Sequence, residues 1–236
     1  MKEAQESQPA TTYATTHKPY MGGEHPDYGL QKQKMPDVVF VGDSITAYWC
    51  EAHPDFFRRN NFAVRGIPGE TTQMVLRRFQ TDGIDSGADA IALICGTNDL
   101  NDNPSPLTMK QALENLTHMY DEALCLNRSV IVCTLPPCSA RPWPHENEAL
   151  QQYIQEMNTC LRRMAKLRQL PIADYHAAMS QDGQPQPLML TPDGLHPSHH
   201  GYCTMENVII HTLQELTGRE KDYFTTSPYG SYPYQP

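Results

Sequence analysis

Residues 37–45 read Asp-Val-Val-Phe-Val-Gly-Asp-Ser-Ile. A short apolar run that stops at a glycine is the pattern of a parallel strand buried on both faces. Four more runs repeat it: Phe62 to Ile67, Ala88 to Cys95, Ser129 to Leu135 (stopped by Pro136 and Pro137), and the shorter Leu170 to Ala173. Helical periodicity fills the gaps. Glu70 to Gln80 follows the second run. Thr108 to Leu126 carries Met109, Ala112, Leu113, Leu116, Met119, Tyr120 and Ala123 at the i, i+3, i+4, i+7 spacing of one buried face. Asn147 to Gln169 and Ser198 to Leu216 do the same. Strands alternating with helices predict an α/β fold in three layers, α/β/α, with a parallel sheet of about five strands covered on both faces. The domain is expected over residues 35–216, between a polar N-terminal arm (1–34) and a Tyr/Pro-rich C-terminal tail (217–236).

Composition narrows the function. The chain has 236 residues, enough for one domain with a real core. Its 18 basic and 27 acidic residues give a net charge of −9, and no Lys/Arg run is present, so nucleic acid is not an expected partner. The seven cysteines are scattered and form no Cys-x-x-Cys pair, which points to reduced thiols and a cytoplasmic setting. The N-terminus, Met-Lys-Glu-Ala-Gln-Glu-Ser, lacks the apolar core of a signal peptide. Export of a processed form stays open. No run approaches the roughly 18 apolar residues of a membrane span, so no transmembrane segment is expected.

The candidate chemistry starts at Ser44, fixed where the first strand ends. A serine hydroxyl is a weak nucleophile until a base takes its proton. About 150 residues later the chain reads Asp193-Gly-Leu-His196-Pro, which offers a base and a carboxylate to orient it. Two blocks lie between: Arg65-Gly-Ile-Pro-Gly-Glu-Thr-Thr72 and Cys95-Gly-Thr-Asn-Asp-Leu100. Together the four blocks resemble the SGNH hydrolases, the GDSL family of esterases and lipases, over roughly residues 35 to 216. The resemblance carries over as Ser44, Gly69, Asn98 and His196, with Asp193 as the fourth block's aspartate.

That resemblance implies a flavodoxin-like sheet of order 2-1-3-4-5 and a serine esterase. Ser44 is then the nucleophile, His196 the base and Asp193 the carboxylate that orients it. The oxyanion hole would come from the backbone N–H groups of Ser44 and Gly69 and the side-chain amide of Asn98. Thr97 and Trp143 are candidate substrate contacts, Trp143 as the wall of an acyl or alcohol pocket. The Gly-Ile-x-Gly-x-Thr-Thr block and the Leu-Pro-Pro…Pro-Trp loop look most like the platelet-activating-factor acetylhydrolase-like and lysophospholipase-like branch. The expected substrate is therefore a small-molecule ester with a short acyl group, on an acylated sugar, a lysophospholipid or a similar alcohol. Acyl transfer, thioester hydrolysis and a non-catalytic binding module on the same fold are the alternatives. No cofactor is expected, and a homo-oligomer is compatible with all of these readings.

Several residues have competing roles. Asp174, just past the fifth strand, is a rival partner for His196. Asp43 and Asp99 are expected to make structural loop hydrogen bonds. Asp193, His196, His199 and His200 have spacings seen in metal sites, but a helix after Pro197 should turn His199 and His200 to the surface, so no metal is assigned. His53 is taken as a surface or packing residue.

Overall fold

The structure, a computed structural model, describes residues 35–100, 106–139, 148–218 and 222–226. Five parallel strands form the central sheet: β1 (Val38–Gly42), β2 (Phe62–Gly66), β3 (Ala90–Ile94), β4 (Ser129–Cys133) and β5 (Ile172–Ala173). Their order is β2-β1-β3-β4-β5. β1 lies between β2 and β3, with Val38 opposite both Phe62 and Ala90 and Gly42 opposite both Gly66 and Ile94. The fold is the expected three-layer α/β/α arrangement.

Strand alternation divides the core. Val39, Val41, Ile91, Leu93, Val130 and Val132 point to one face and pack beneath α3 (Thr72–Phe79), α4 (Met109–Cys125) and α5 (Glu148–Arg168). Phe40, Ala92, Ile94, Ile131 and Cys133 point to the other, beneath α1 (Ser44–Ala52), α2 (Pro54–Asn60) and α7 (His199–Thr217). With both faces covered, strand residues are apolar at nearly every position, Arg65 and Ser129 excepted, which is why these runs read as continuous rather than alternating.

Four of the five strands are shorter than the apolar runs that predict them. The run after β4 leaves the sheet at Thr134, and Leu135 then meets the Asn158 amide of α5: Leu135 N–H donates to Oδ1 at 2.8 Å, and Nδ2 donates to the Leu135 carbonyl at 2.9 Å. A buried side chain thus replaces the ladder partners.

Helices α1 and α2 were not legible from periodicity. α1 buries Ser44, Ile45, Thr46, Ala47, Trp49 and Cys50, so it has no polar stripe to reveal a helical period. Asp43 caps it, its Oδ1 accepting from Ile45 N–H at 3.0 Å. Gly42 is required just before this cap: a Cβ there would lie 2.1 Å from the Ile94 carbonyl oxygen and 2.4 Å from Thr46 Oγ1. The remaining elements, α6 (Tyr175–Met179) and the hairpin β6 (Ser180–Gln181) and β7 (Gln184–Pro185), lead into the loop that carries Asp193 and His196.

Residues 222–226, inside the expected tail, pack on the domain. Asn60 Nδ2 donates to the Phe224 carbonyl and Phe224 N–H donates to Asn60 Oδ1, both at 2.8 Å, while the Arg59 guanidinium sits 3.7 Å from the Phe224 ring centroid. The arm 1–34, Trp143 and the tail beyond residue 226 lie outside the described residues.

Candidate active site

Ser44, Gly69 and Asn98 lie on the loops that follow β1, β2 and β3 at their carboxyl ends, and these strands are neighbours in the sheet. Open α/β sheets bind ligands at such an end, beside the point where strand order reverses. Ser44 is the first residue of α1, so its backbone N–H belongs to the helix's unpaired amino-terminal donors and its side chain sits in the positive field of that end.

Ser44 Oγ lies 2.9 Å from His196 Nε2, and His196 Nδ1 lies 2.7 Å from Asp193 Oδ2. The carboxylate is fixed from its other oxygen: Oδ1 accepts from Thr191 Oγ1 at 2.6 Å, from Leu195 N–H at 2.9 Å and from His196 N–H at 3.0 Å. Partial burial pushes the Asp193 carboxyl up. The hydrogen bonds from His196, Thr191 and the two backbone N–H groups outweigh it and hold Asp193 well below the usual carboxylate range. An ionised Asp193 keeps the proton on Nδ1 and leaves Nε2 to accept from Ser44.

The loop around this pair is tied at several points. Gly194 and Thr191 are joined by a backbone hydrogen bond, the His196 carbonyl accepts from Thr191 N–H, and the Gly194 carbonyl accepts from Ser139 N–H at 2.7 Å. The last contact fastens the loop to the segment that follows β4. Asp174 is elsewhere: it pairs with Arg162 at 2.7 and 2.9 Å and caps α6 through Ala177 N–H. Its candidacy as the His196 partner ends there.

Asn98 Nδ2 donates to the Glu70 carbonyl at 3.0 Å, which ties the third loop to the second and leaves the other amide hydrogen for a further acceptor. Gly69 has φ +80°, a conformation that favours glycine, and a Cβ built there meets no atom within 4 Å. Backbone conformation, rather than crowding by the protein, accounts for the glycine. Thr97 is 3% exposed, and its hydroxyl has no hydrogen-bond partner among the described residues.

Three positions shaping the site were not singled out for it from sequence. Arg78 Nε pairs with Glu70 at 2.6 Å and Nη1 with Asp82 at 2.6 Å, while Nη2 donates to the Gly42 carbonyl at 2.9 Å. One guanidinium thereby joins the loops after β1 and β2. The Arg78/Asp82 spacing of four on a helix was its sequence signal. Tyr48, one turn after Ser44, places its ring centroid 4.9 Å from that of His196. Asp43 does more than bond the loop. Burial drives its carboxyl up to about 7, against the opposing hydrogen bond from Ile45 and the charge of His196. Asp99 likewise is raised by burial, although Thr72 donates to it from both N–H and hydroxyl.

A second cluster has metal-ligand chemistry: His53, His199 and Cys203. His199 is exposed, as the helix after Pro197 predicts, and of the two roles expected for His53 the structure shows packing: it is 2% exposed and bonded on both ring nitrogens.

A profile of the GDSL-like lipase/acylhydrolase family matches residues 40–203. A fission yeast (Schizosaccharomyces pombe) isoamyl acetate-hydrolysing esterase is 26% identical over 199 residues, covering 79% of this chain and 78% of the yeast protein. A solved GDSL-like lipase of Bacteroides thetaiotaomicron is 31% identical with a TM-score of 0.71, covering 76% of this chain and 88% of that one. An acetylxylan esterase of Geobacillus stearothermophilus shares the fold at 18% identity and a TM-score of 0.60, covering 75% of this chain and 93% of its own.

Proposed function

The chain belongs to the GDSL-like lipase/acylhydrolase family and is an ester-hydrolysing enzyme; from that premise we propose that it cleaves short-acyl carboxylic esters, acetates above all, through an acyl-Ser44 intermediate. The observation that carries this reading is the unbroken relay from Ser44 Oγ through His196 to Asp193, at 2.9 and 2.7 Å.

In the first half-reaction His196 Nε2 takes the Ser44 proton as Oγ attacks the ester carbonyl carbon. The carbonyl oxygen gains negative charge. Ser44 N–H, Gly69 N–H and the second Asn98 amide hydrogen are the donors assigned to it, each worth roughly 100- to 1,000-fold when preorganised. The tetrahedral species collapses, the ester C–O bond breaks, and the Nε2 proton passes to the leaving alkoxide. Water then repeats the sequence: it gives a proton to Nε2, attacks the acyl carbon and frees the acid, and the proton returns to Ser44. Asp193 holds the ring and stabilises the imidazolium in both halves.

The yeast relative's acetate substrate supports the short acyl group. The alcohol side is broader: an acylated sugar or a lysophospholipid fits an Asp193/His196 edge whose side chains are 41% and 22% exposed. Transfer of the acyl group to an added alcohol uses the same groups and is separated by product analysis. None of the seven cysteines is in a disulfide, which supports a cytoplasmic setting. Among the described residues no helix is long and apolar enough to cross a membrane.

Intact mass after exposure to a fluorophosphonate tests the nucleophile. One adduct on the wild type and none on Ser44→Ala is expected, with esterase turnover lowered roughly 10⁴- to 10⁶-fold in the variant. An adduct that persists in Ser44→Ala overturns the assignment. A p-nitrophenyl ester series from acetate to octanoate tests the acyl preference, and kcat/KM rising with chain length overturns it.

A further inference from the structure

We propose that His53, His199 and Cys203 form a site for a transition-metal ion of the zinc class, which clamps the helix bearing the Ser44 nucleophile to the helix that follows the His196 loop. One ligand atom from each lies within 4.8 Å of the other two. Two imidazole nitrogens and a thiolate suit Zn²⁺ or Co²⁺ and disfavour Mg²⁺ and Ca²⁺, which take oxygen ligands. Three protein ligands leave a fourth position for water.

The cluster is built from two elements far apart in sequence. His53 follows α1 directly. His199 opens α7, and Cys203 is one turn further along the same face, with Sγ 3.8 Å from His199 Nε2. His53 Nε2 and His199 Nδ1 face each other at 2.7 Å. Around a tetrahedral zinc ion the two nitrogens stand about 3.3 Å apart. The exposed His199 ring needs to swing out by well under an ångström to admit one.

An independent feature points to a ligand. The other nitrogen of His53, Nδ1, lies 2.6 Å from Oε1 of Glu206, whose side chain is 0% exposed. A buried carboxylate behind an imidazole keeps the proton on Nδ1 and aims the Nε2 lone pair outward, the support that metal-ligating histidines have. Glu206 is itself held: Thr226 donates to it from N–H at 2.6 Å and from Oγ1 at 2.9 Å. On binding, Cys203 releases its thiol proton to solvent, and the His199 proton moves from Nδ1 to Nε2, so one proton leaves per ion and no electron is transferred.

The position gives the ion a structural task. Ser44 is the first residue of α1 and His53 the residue after its end; His199 is the first residue of α7, three after His196. An ion shared by His53, His199 and Cys203 therefore restrains both elements that set the Ser44–His196 distance. The proposal stands on this geometry and not on the esterase reading.

Titration of the full chain with Co²⁺ tests it, followed by zinc competition and direct metal analysis. The expected result is one ion per chain, a thiolate-to-cobalt charge-transfer band, and the visible bands of four-coordinate cobalt. Cys203→Ser is expected to abolish the charge-transfer band and weaken zinc at least ~10-fold, His199→Ala to weaken it similarly, and His200→Ala, next to the cluster, to bind as the wild type does. Both affected residues are accessible on α7, so their loss should leave the fold intact; melting of each metal-free variant checks that directly. Zinc should raise the melting temperature of the wild type and not of His199→Ala. Absence of the charge-transfer band in the wild type, or zinc affinity unchanged in Cys203→Ser, overturns the proposal and leaves a hydrogen-bonded packing cluster.

Discussion

Among the described residues, two histidine–carboxylate pairs share almost the same short bond: His196 Nδ1 to Asp193 at 2.7 Å, and His53 Nδ1 to Glu206 at 2.6 Å. Their surroundings differ. The first pair is three residues apart in sequence, its side chains are 22% and 41% exposed, and the far nitrogen reaches a serine hydroxyl. The second spans 153 residues, is 1% and 0% exposed, and its far nitrogen reaches another imidazole. The same bond therefore has different uses. A carboxylate–imidazole pair open to solvent at a nucleophile can pass protons to a substrate. A sealed one fixes a ring and joins two helices.

The contrast predicts opposite mutational profiles. Asp193→Asn is expected to lower kcat by about 10³- to 10⁴-fold through loss of the correct tautomer and of imidazolium stabilisation, with a smaller loss of stability near neutrality. Steady-state kinetics beside calorimetry checks both halves. Because the Asp193 carboxyl is depressed, its stabilising share is present above about pH 4, the unfolded-state range, and is lost as pH falls through the native value. Asp193→Asn should therefore flatten the acid limb of the stability curve.

Asn98→Ala is expected to cost about 10²- to 10³-fold in kcat, with KM for a small acetate ester changed far less, because the amide acts on charge that develops in the transition state. A KM rise of that size with kcat unchanged would move Asn98 from oxyanion stabilisation to simple binding.

Glu206→Gln should show the reverse of Asp193→Asn. It removes a buried charge-assisted partner of His53 and weakens two bonds from Thr226, so stability is expected to fall by about 2 kcal/mol while kcat stays within roughly threefold. Chemical denaturation read against turnover decides this. A kcat loss as large as that of Asp193→Asn would erase the distinction between the pairs.

The last expected effect is on stability alone and belongs to Asp43, the buried cap beside the nucleophile. A carboxyl raised to about 7 favours the folded state most below the unfolded value near 4, and that contribution is lost as pH rises through about 7. Asn at this position keeps an acceptor for Ile45 N–H and has no proton to lose. Asp43→Asn should therefore gain stability relative to the wild type between pH 5 and 8, by on the order of 2 kcal/mol. Melting temperatures of both proteins across that interval give the sign directly.

The sheet was legible because a strand covered on both faces must be apolar throughout, and each such run ends in a glycine, a proline or a polar loop. Ends were less legible: the Leu135 backbone leaves the ladder for Asn158, a residue in a helix that begins 13 positions later. α1 was hidden for the opposite reason, since a helix buried nearly all round has no polar face to mark its period, and α2 because seven residues are two turns, too few to establish one. At the site, Asp193 and His196 were readable as a pair because a tight turn brings positions three apart together. Tyr48, Arg78 and His53 depend on what folds against them, and only the assembled layers say what that is.

The amino-acid sequence by itself determined the alternation of strand and helix, the chain order of the blocks, and the chemical types each loop presents. Those are local properties, set by side-chain polarity, backbone preference and spacing. The tertiary structure decided which distant groups meet: Ser44 with His196 across 152 residues, Arg78 with the ends of β1 and β2, and His53 with Glu206 and His199. Such pairings follow from packing and burial. A polar group sealed in the core must find its partner wherever the fold has brought one.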